Sequence, residues 1–129
     1  MRTILFLSDT YEGRVHDKRI AEATPYPFPA GSRLLQDLGF LAFVPPQVAL
    51  IMPTKKPRGR ELTPAQKAEH QAMARRRVRI EHVNSSVKRW RVVKDTIRLW
   101  KDGVRDLVME VCCALHNFQV RITPWQPMI

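Results

Sequence analysis

After Pro64 the chain runs to Trp90 with no further proline and no glycine, so no residue in that stretch breaks a helix. Its entry, Thr63-Pro64-Ala65-Gln66, is suited to starting one. Thr63 can cap, Pro64 fits the first helical position, and Gln66 completes a capping box. The expected helix is roughly 40 Å long at 1.5 Å per residue. Its second half, Arg75 to Trp90, holds six Arg or Lys side chains and one carboxylate, Glu81. Steps of three and four residues return to one face. Arg77, Glu81, Asn84 and Lys88 therefore share a polar stripe, while Ile80, Val83, Val87 and Trp90 share an apolar one able to pack on a core. A segment needing only positive charge has no use for that acid; a lone carboxylate in a basic field suggests a metal ligand beside a phosphate backbone.

Composition supports the phosphate half of that idea. The net charge is +10 and the pI about 10.5, which favours a polyanionic partner, nucleic acid first and an anionic membrane second. The plainer alternative is a soluble basic protein with no such partner. A length of 129 residues at 44% hydrophobic suits one domain with a modest core. No apolar run approaches the ~20 residues needed to span a bilayer, and the N-terminal apolar stretch is too short for a signal peptide. The two cysteines, Cys112 and Cys113, are adjacent, poorly placed to pair and without further ligands at zinc spacing. They read as buried, inert thiols of a cytoplasmic protein.

Along the chain, Ile4 to Leu7 reads as a strand buried on both faces. A central strand so close to the first residue leaves no room for its neighbours, as if the chain began in the middle of a domain. His16 to Ala23 can form a short helix, stopped by the prolines of 25–29. Arg33 to Gln36 and Val48 to Met52 read as short strands, and 53–60 as an exposed loop. Residues 91–100 are either a loop or a short helix. Asp102 can cap a last helix whose face runs Val104, Leu107, Val108, Val111, Leu115 and Phe118. The tail from Thr123 is irregular. The order is mixed α/β.

Asp37 follows the second strand and precedes Gly39, so its carboxylate stands at a strand's C-terminal end, where ligands of open α/β sheets bind. With Glu81 from the long helix it could hold one or two divalent cations for in-line displacement at a phosphodiester. Hard oxygen ligands suit magnesium or manganese. Each residue alone has a plainer reading: Asp before Gly is commonly a turn or cap residue, and Glu among arginines is commonly a surface ion-pair partner. Trp90, Trp100 and Trp125 read as packing residues rather than base-stacking platforms. His70 and His82 flank the basic helix and read equally well as solvated or phosphate-facing.

The pattern as a whole resembles a known family. Arg77, three residues, Glu81, six residues and Lys88 resemble the Arg-Glu-Lys signature of bacterial insertion-sequence transposases of the DDE superfamily. The family's Tyr two residues before that Arg is Ala74 here. Asp37-Leu38-Gly39-Phe40 looks like the family's Asp-x-Gly-Tyr/Phe motif at its second catalytic aspartate. Ser8 to Ile20, with Gly13 and His16-Asp17, is similar to the preceding segment of Harbinger-like members, and His116-Asn117 resembles a common C-terminal ending. The resemblance implies an RNase H-like fold in which three acids bind two magnesium (or manganese) ions. By carry-over Asp37 is the second acid and Glu81 the third, both metal ligands. Arg77 and Lys88, with Arg75 and Arg79 near them, become the DNA-binding residues; Asp17 is a weaker candidate that reads equally as a residue facing a helix dipole.

The first acid has no counterpart. Residues 1–129 are therefore expected to be the C-terminal part of such a catalytic domain, a partial RNase H-like fold. Its partners would be insertion-sequence ends and target DNA, the missing upstream half of the transposase and a second copy in a homodimer, with no membrane. With one carboxylate gone, metal affinity and cleavage should suffer. The competing readings are a non-catalytic basic DNA-binding remnant and a fragment that does not fold stably, since a cut sheet exposes an edge.

Overall fold

The computed structural model describes residues 2–95 and 101–123. They form two compact units, 11–75 and 2–10 with 76–123, and their elements confirm a mixed α/β chain.

In the unit 11–75, helix α1 (Asp17–Ala23) begins at His16, whose Nδ1 accepts the Lys18 N–H, and ends at Thr24, just before Pro25. Strands β1 (Arg33–Leu35) and β2 (Ala49–Ile51) pair in parallel, with Arg33 opposite Ala49 and Leu35 opposite Ile51. Parallel strands need a long return. Residues 36–48 supply it, opening with a 3-10 turn at Leu38–Phe40. Buried Gln36 holds this crossover in shape: its backbone N–H donates to Ile51 O and its Nε2 to Phe43 O at 3.1 Å. Residues 54–60 form the expected exposed loop.

Helix α2 (Pro64–Lys88) starts as its sequence indicates. Gln66 N–H donates to Thr63 Oγ1, and Thr63 N–H donates to Gln66 Oε1 at 3.0 Å, the two reciprocal bonds of a capping box. The division between units falls inside α2, after Arg75. Met73 is buried in the first unit and Val87 in the second. The expected apolar stripe is covered only in part: Val83 is half-buried, while Ile80 and Trp90 are exposed. Trp90 is thus not the packing residue its type suggests. It lies two residues past the end of α2 and is the N-cap of the four-residue helix α3 (Arg91–Lys94), which settles part of the ambiguity over 91–100. Trp100 and Trp125 lie outside the described residues.

The unit of 2–10 and 76–123 departs from expectation twice. Helix α4 (Val104–Ile122) is present, but Gly103 precedes it as N-cap in a left-handed conformation, φ 77°, and Asp102 does not cap it. Its buried side is also not the regular apolar stripe. Cys112, Cys113 and His116 are buried, with Val87 of α2 and with Ile4, Val93, Val108 and Met109 packed around them. Leu107, Val111, Leu115 and Phe118 lie on the opposite side and are exposed. Hydrogen bonding fixes the helix in this rotation. His116 and the neighbouring Asn117 both bond the backbone of residues 2–4, and turning the stripe inward would strand those polar groups.

Those bonds also explain the second departure. Residues 4–7 have no regular secondary structure and belong to no sheet, and Leu5 is 78% exposed. The Asn117 amide takes the place of a neighbouring strand: Ile4 N–H donates to Asn117 Oδ1 and Asn117 Nδ2 donates to Ile4 O, both at 2.8 Å. A few residues on, Thr10 N–H donates to Asp106 Oδ1 at 2.6 Å. The N-terminal segment is therefore tied to α4 by side chains at two points.

Candidate functional site

Asp37 stands two residues beyond the end of β1, close to where the sequence suggests, and is half-buried. Its Oδ1 accepts the Gly39 N–H at 2.8 Å and caps the 3-10 turn. Gly39 leaves room for that carboxylate. A Cβ at position 39 would lie 2.9 Å from Asp37 Oδ1 and about 4.0 Å from His16 Cε1. Helix α1 packs against this turn, so His16 and the first turn of α1, with Asp17, border the Asp37 carboxylate's own loop. The segment preceding the aspartate motif and the motif itself thus form one local structure. Asp17 is exposed at the start of α1, where the helix dipole favours an acid.

Glu81 lies in the other unit, past the middle of α2. It is exposed, and its carboxylate has no hydrogen-bond or ion-pair partner among the described residues. The ordinary surface ion-pair reading therefore does not describe it. Arg77, Asn84 and Lys88 are exposed on the same face of the helix. Arg75 and Arg79 are exposed too, but at 3.6 residues per turn they stand about half a turn away from that face. The basic residues thus divide between two faces, of which only one contains the acid.

His82, next to Glu81, is tied down: its Nδ1 is 3.0 Å from an Arg2 guanidinium nitrogen. His70 is half-buried, with its Nε2 buried and unbonded among the described residues, so neither ring is simply solvated. Among the described residues no three His, Cys, Asp or Glu side chains are grouped closely enough to hold a metal ion.

Sequence reasoning gave His116 and Asn117 no physical task. His116 is 4% exposed, with Nε2 2.8 Å from Arg2 O and Nδ1 2.8 Å from Ser86 Oγ. A carbonyl only accepts, so Nε2 carries the proton and Nδ1 accepts from the Ser86 hydroxyl. Ser86 lies five positions beyond Glu81 on α2. This ring therefore joins α4, the N-terminal segment and the acid-bearing helix. A His-Asn pair inside an apolar helix was the available signal, since buried polar groups need partners.

Two titrating groups depart from their usual range. Hydrogen bonds from the Thr10 side chain and then its backbone lower the Asp106 pKa. Burial, with Cys112 adding to it, pushes the Cys113 thiol up. Both thiols are free and buried, as expected of inert cysteines.

The family model described as DDE superfamily endonuclease matches residues 2–117. The chain belongs to the DDE superfamily endonucleases. The match runs through both Asp37 and Glu81 and extends to Asn117. Among curated proteins, the chain is 28% identical over 87 residues to a probable transposase for insertion sequence element IS702 from Microchaete diplosiphon. That similarity covers 67% of this chain and 32% of the relative, so the chain spans about a third of the relative's length. No solved structure matches significantly. None of the described helices is long and apolar enough to cross a membrane.

Proposed function

We propose that this chain supplies Asp37 and Glu81 as two of the three acidic metal ligands of an RNase H-like transposase domain that cleaves and joins DNA at insertion-sequence ends. The observation that carries the reading is Glu81: an exposed carboxylate without a protein partner among the described residues, between Arg77 and Lys88, in a chain of this family. The donor set fits the cofactor by chemistry. Carboxylate oxygens are the hard ligands that magnesium and manganese prefer, and two ions are expected in the complete enzyme. It does not fit by count, since Asp37 and Glu81 are two acids in separate units and a third must come from another part of the enzyme.

When bound, divalent cations activate the attacking oxygen and stabilise the leaving oxygen of an in-line displacement. The chain's own residues do the rest. The cap to Gly39 holds the Asp37 carboxylate at the end of β1. Lys88 lies two turns beyond Glu81 on one face, where its ammonium can hold a phosphate as a point charge. Arg77, one turn before Glu81, can clamp a second phosphate with its planar fork. Arg75 and Arg79, on the other face, add attraction for the same polyanion without reaching the scissile group.

In this reading the protein acts in the cytoplasm, on insertion-sequence ends and target DNA, together with an upstream half of the transposase and as a homodimer. The test is magnesium-dependent nicking of end-bearing DNA by the chain joined to that upstream portion. The wild type should nick. Glu81→Gln should abolish nicking while DNA affinity stays equal or rises, because a negative charge near phosphates has been removed. Affinity without nicking in the joined wild type would instead identify a non-catalytic DNA-binding remnant. Loss of DNA binding in Glu81→Gln would exclude a metal role for Glu81.

A further inference from the structure

The turn of α2 that follows Glu81 is held from outside the helix at two adjacent points. His82 and Ser86 are four positions apart and so share a side of α2. Ser86 stands about 140° around the helix axis from Glu81. The Ser86 hydroxyl donates to Nδ1 of His116 on α4 at 2.8 Å, and the Arg2 guanidinium donates to His82 Nδ1 at 3.0 Å. The two points are joined, because His116 Nε2 donates to the Arg2 carbonyl at 2.8 Å. Arg2, His82, Ser86 and His116 thus close a ring of hydrogen bonds on that turn.

We propose that His116 is a positioning residue for Glu81: through Ser86 it fixes the rotation of α2, and with it the place of the Glu81 carboxylate. The inference rests on the metal-ligand reading of Glu81 given above. Two observations carry it. The first is how little apolar packing holds this half of α2. Among the described residues of this unit, the buried apolar side chains are Val87, Cys112 and Cys113, with partly buried neighbours packed on them. Apolar burial is non-directional, so the rotation of the helix is left to its hydrogen bonds. Side chains reach about 5–6 Å from a helix axis, and a rotation of roughly 10° then moves a carboxylate by about 1 Å. A misplacement of about 1 Å can cost a reaction on the order of a hundredfold in rate. The second observation is burial. His116 is buried and Ser86 half-buried, whereas Glu81 is exposed. Their bond is therefore strong and costly to lose, and it lies on a different side of α2 from the acid.

The test compares variants in the chain joined to its upstream portion, with Glu81→Gln beside them. Ser86→Ala removes the donor of the bond. His116→Gln removes its acceptor while keeping an amide to donate to Arg2 O. Each should lower the magnesium-dependent nicking rate at saturating DNA about tenfold or more and raise the magnesium needed for half-maximal rate. The DNA concentration for half-maximal rate should stay within about twofold of wild type. The double variant should lose no more than the worse single one, because both break the same bond. His116→Asn, whose amide oxygen can take the place of Nδ1, should recover most of the rate. In the metal-free chain, amide exchange at 82–86 should accelerate in Ser86→Ala and His116→Gln while exchange at 67–75 stays unchanged. Wild-type nicking and magnesium requirement in both single variants, beside an inactive Glu81→Gln, overturn the proposal and leave the reading of Glu81 intact. So do losses that multiply in the double variant, a His116→Asn no better than His116→Gln, or unchanged exchange at 82–86. Normal nicking by Glu81→Gln, or none by the joined wild type, removes the metal-ligand reading and this proposal with it.

Discussion

Asp37 has a structural task that stands beside the metal-ligand role proposed for it. Its Oδ1 caps a 3-10 turn through Gly39 N–H, so the group is oriented by the backbone before any metal arrives. The neighbouring glycine makes that possible, because any side chain at 39 would stand 2.9 Å from the capping oxygen. Gly39→Ala should displace the carboxylate and cost about 1 kcal/mol, the usual worth of a cap. In a competent, completed enzyme it should also reduce nicking well beyond that loss of stability. The check is thermal unfolding beside nicking rate; a variant with normal nicking would show that the orientation of Asp37 is immaterial. The aspartate-glycine pair was visible in the sequence as a turn, and its resemblance to a family motif gave it a function. Its tight contact was not visible, because sequence spacing gives no interatomic distance.

At the scale of elements, α2 was the most legible part. A capping box followed by an unbroken run leaves a chain few alternatives, and α1, β1 and β2 also fall within a residue or two of their expected bounds. Helix α4 was legible as a helix but not in its rotation. Periodicity favoured the regular stripe from Leu107 to Phe118, yet the buried side holds Cys112, Cys113 and His116. Tertiary hydrogen bonds decided the matter, and a single-helix pattern carries no information about them. The same bonds hold Ile4 at the start of an irregular segment, where the sequence suggested a central strand. Asn117→Ala should test this directly. It removes both bonds to Ile4 and should destabilise the protein by about 1–3 kcal/mol, with amide exchange at Ile4 accelerating more than exchange within α4. Uniform acceleration across both would indicate that Asn117 has no specific hold on the N-terminal segment.

For the whole molecule, the central claim joins two units. Asp37 belongs to one and Glu81 to the other, and a shared metal would make them a single site. Family membership over residues 2–117, a span that includes both, supports the assignment of each, as does the place of Glu81, unpaired among the described residues, in the basic second half of α2. The chain spans about a third of the length of the curated transposase it matches. The most direct measurement is metal-directed cleavage of the protein backbone. Ferrous iron takes the place of magnesium in the chain joined to its upstream portion, and peroxide with ascorbate cuts the polypeptide next to the bound ion. The account predicts cuts beside both residue 37 and residue 81 in the same preparation, competed away by magnesium and lost at both positions in Glu81→Gln. Cuts at only one of the two, or a pattern unchanged by Glu81→Gln, would contradict it.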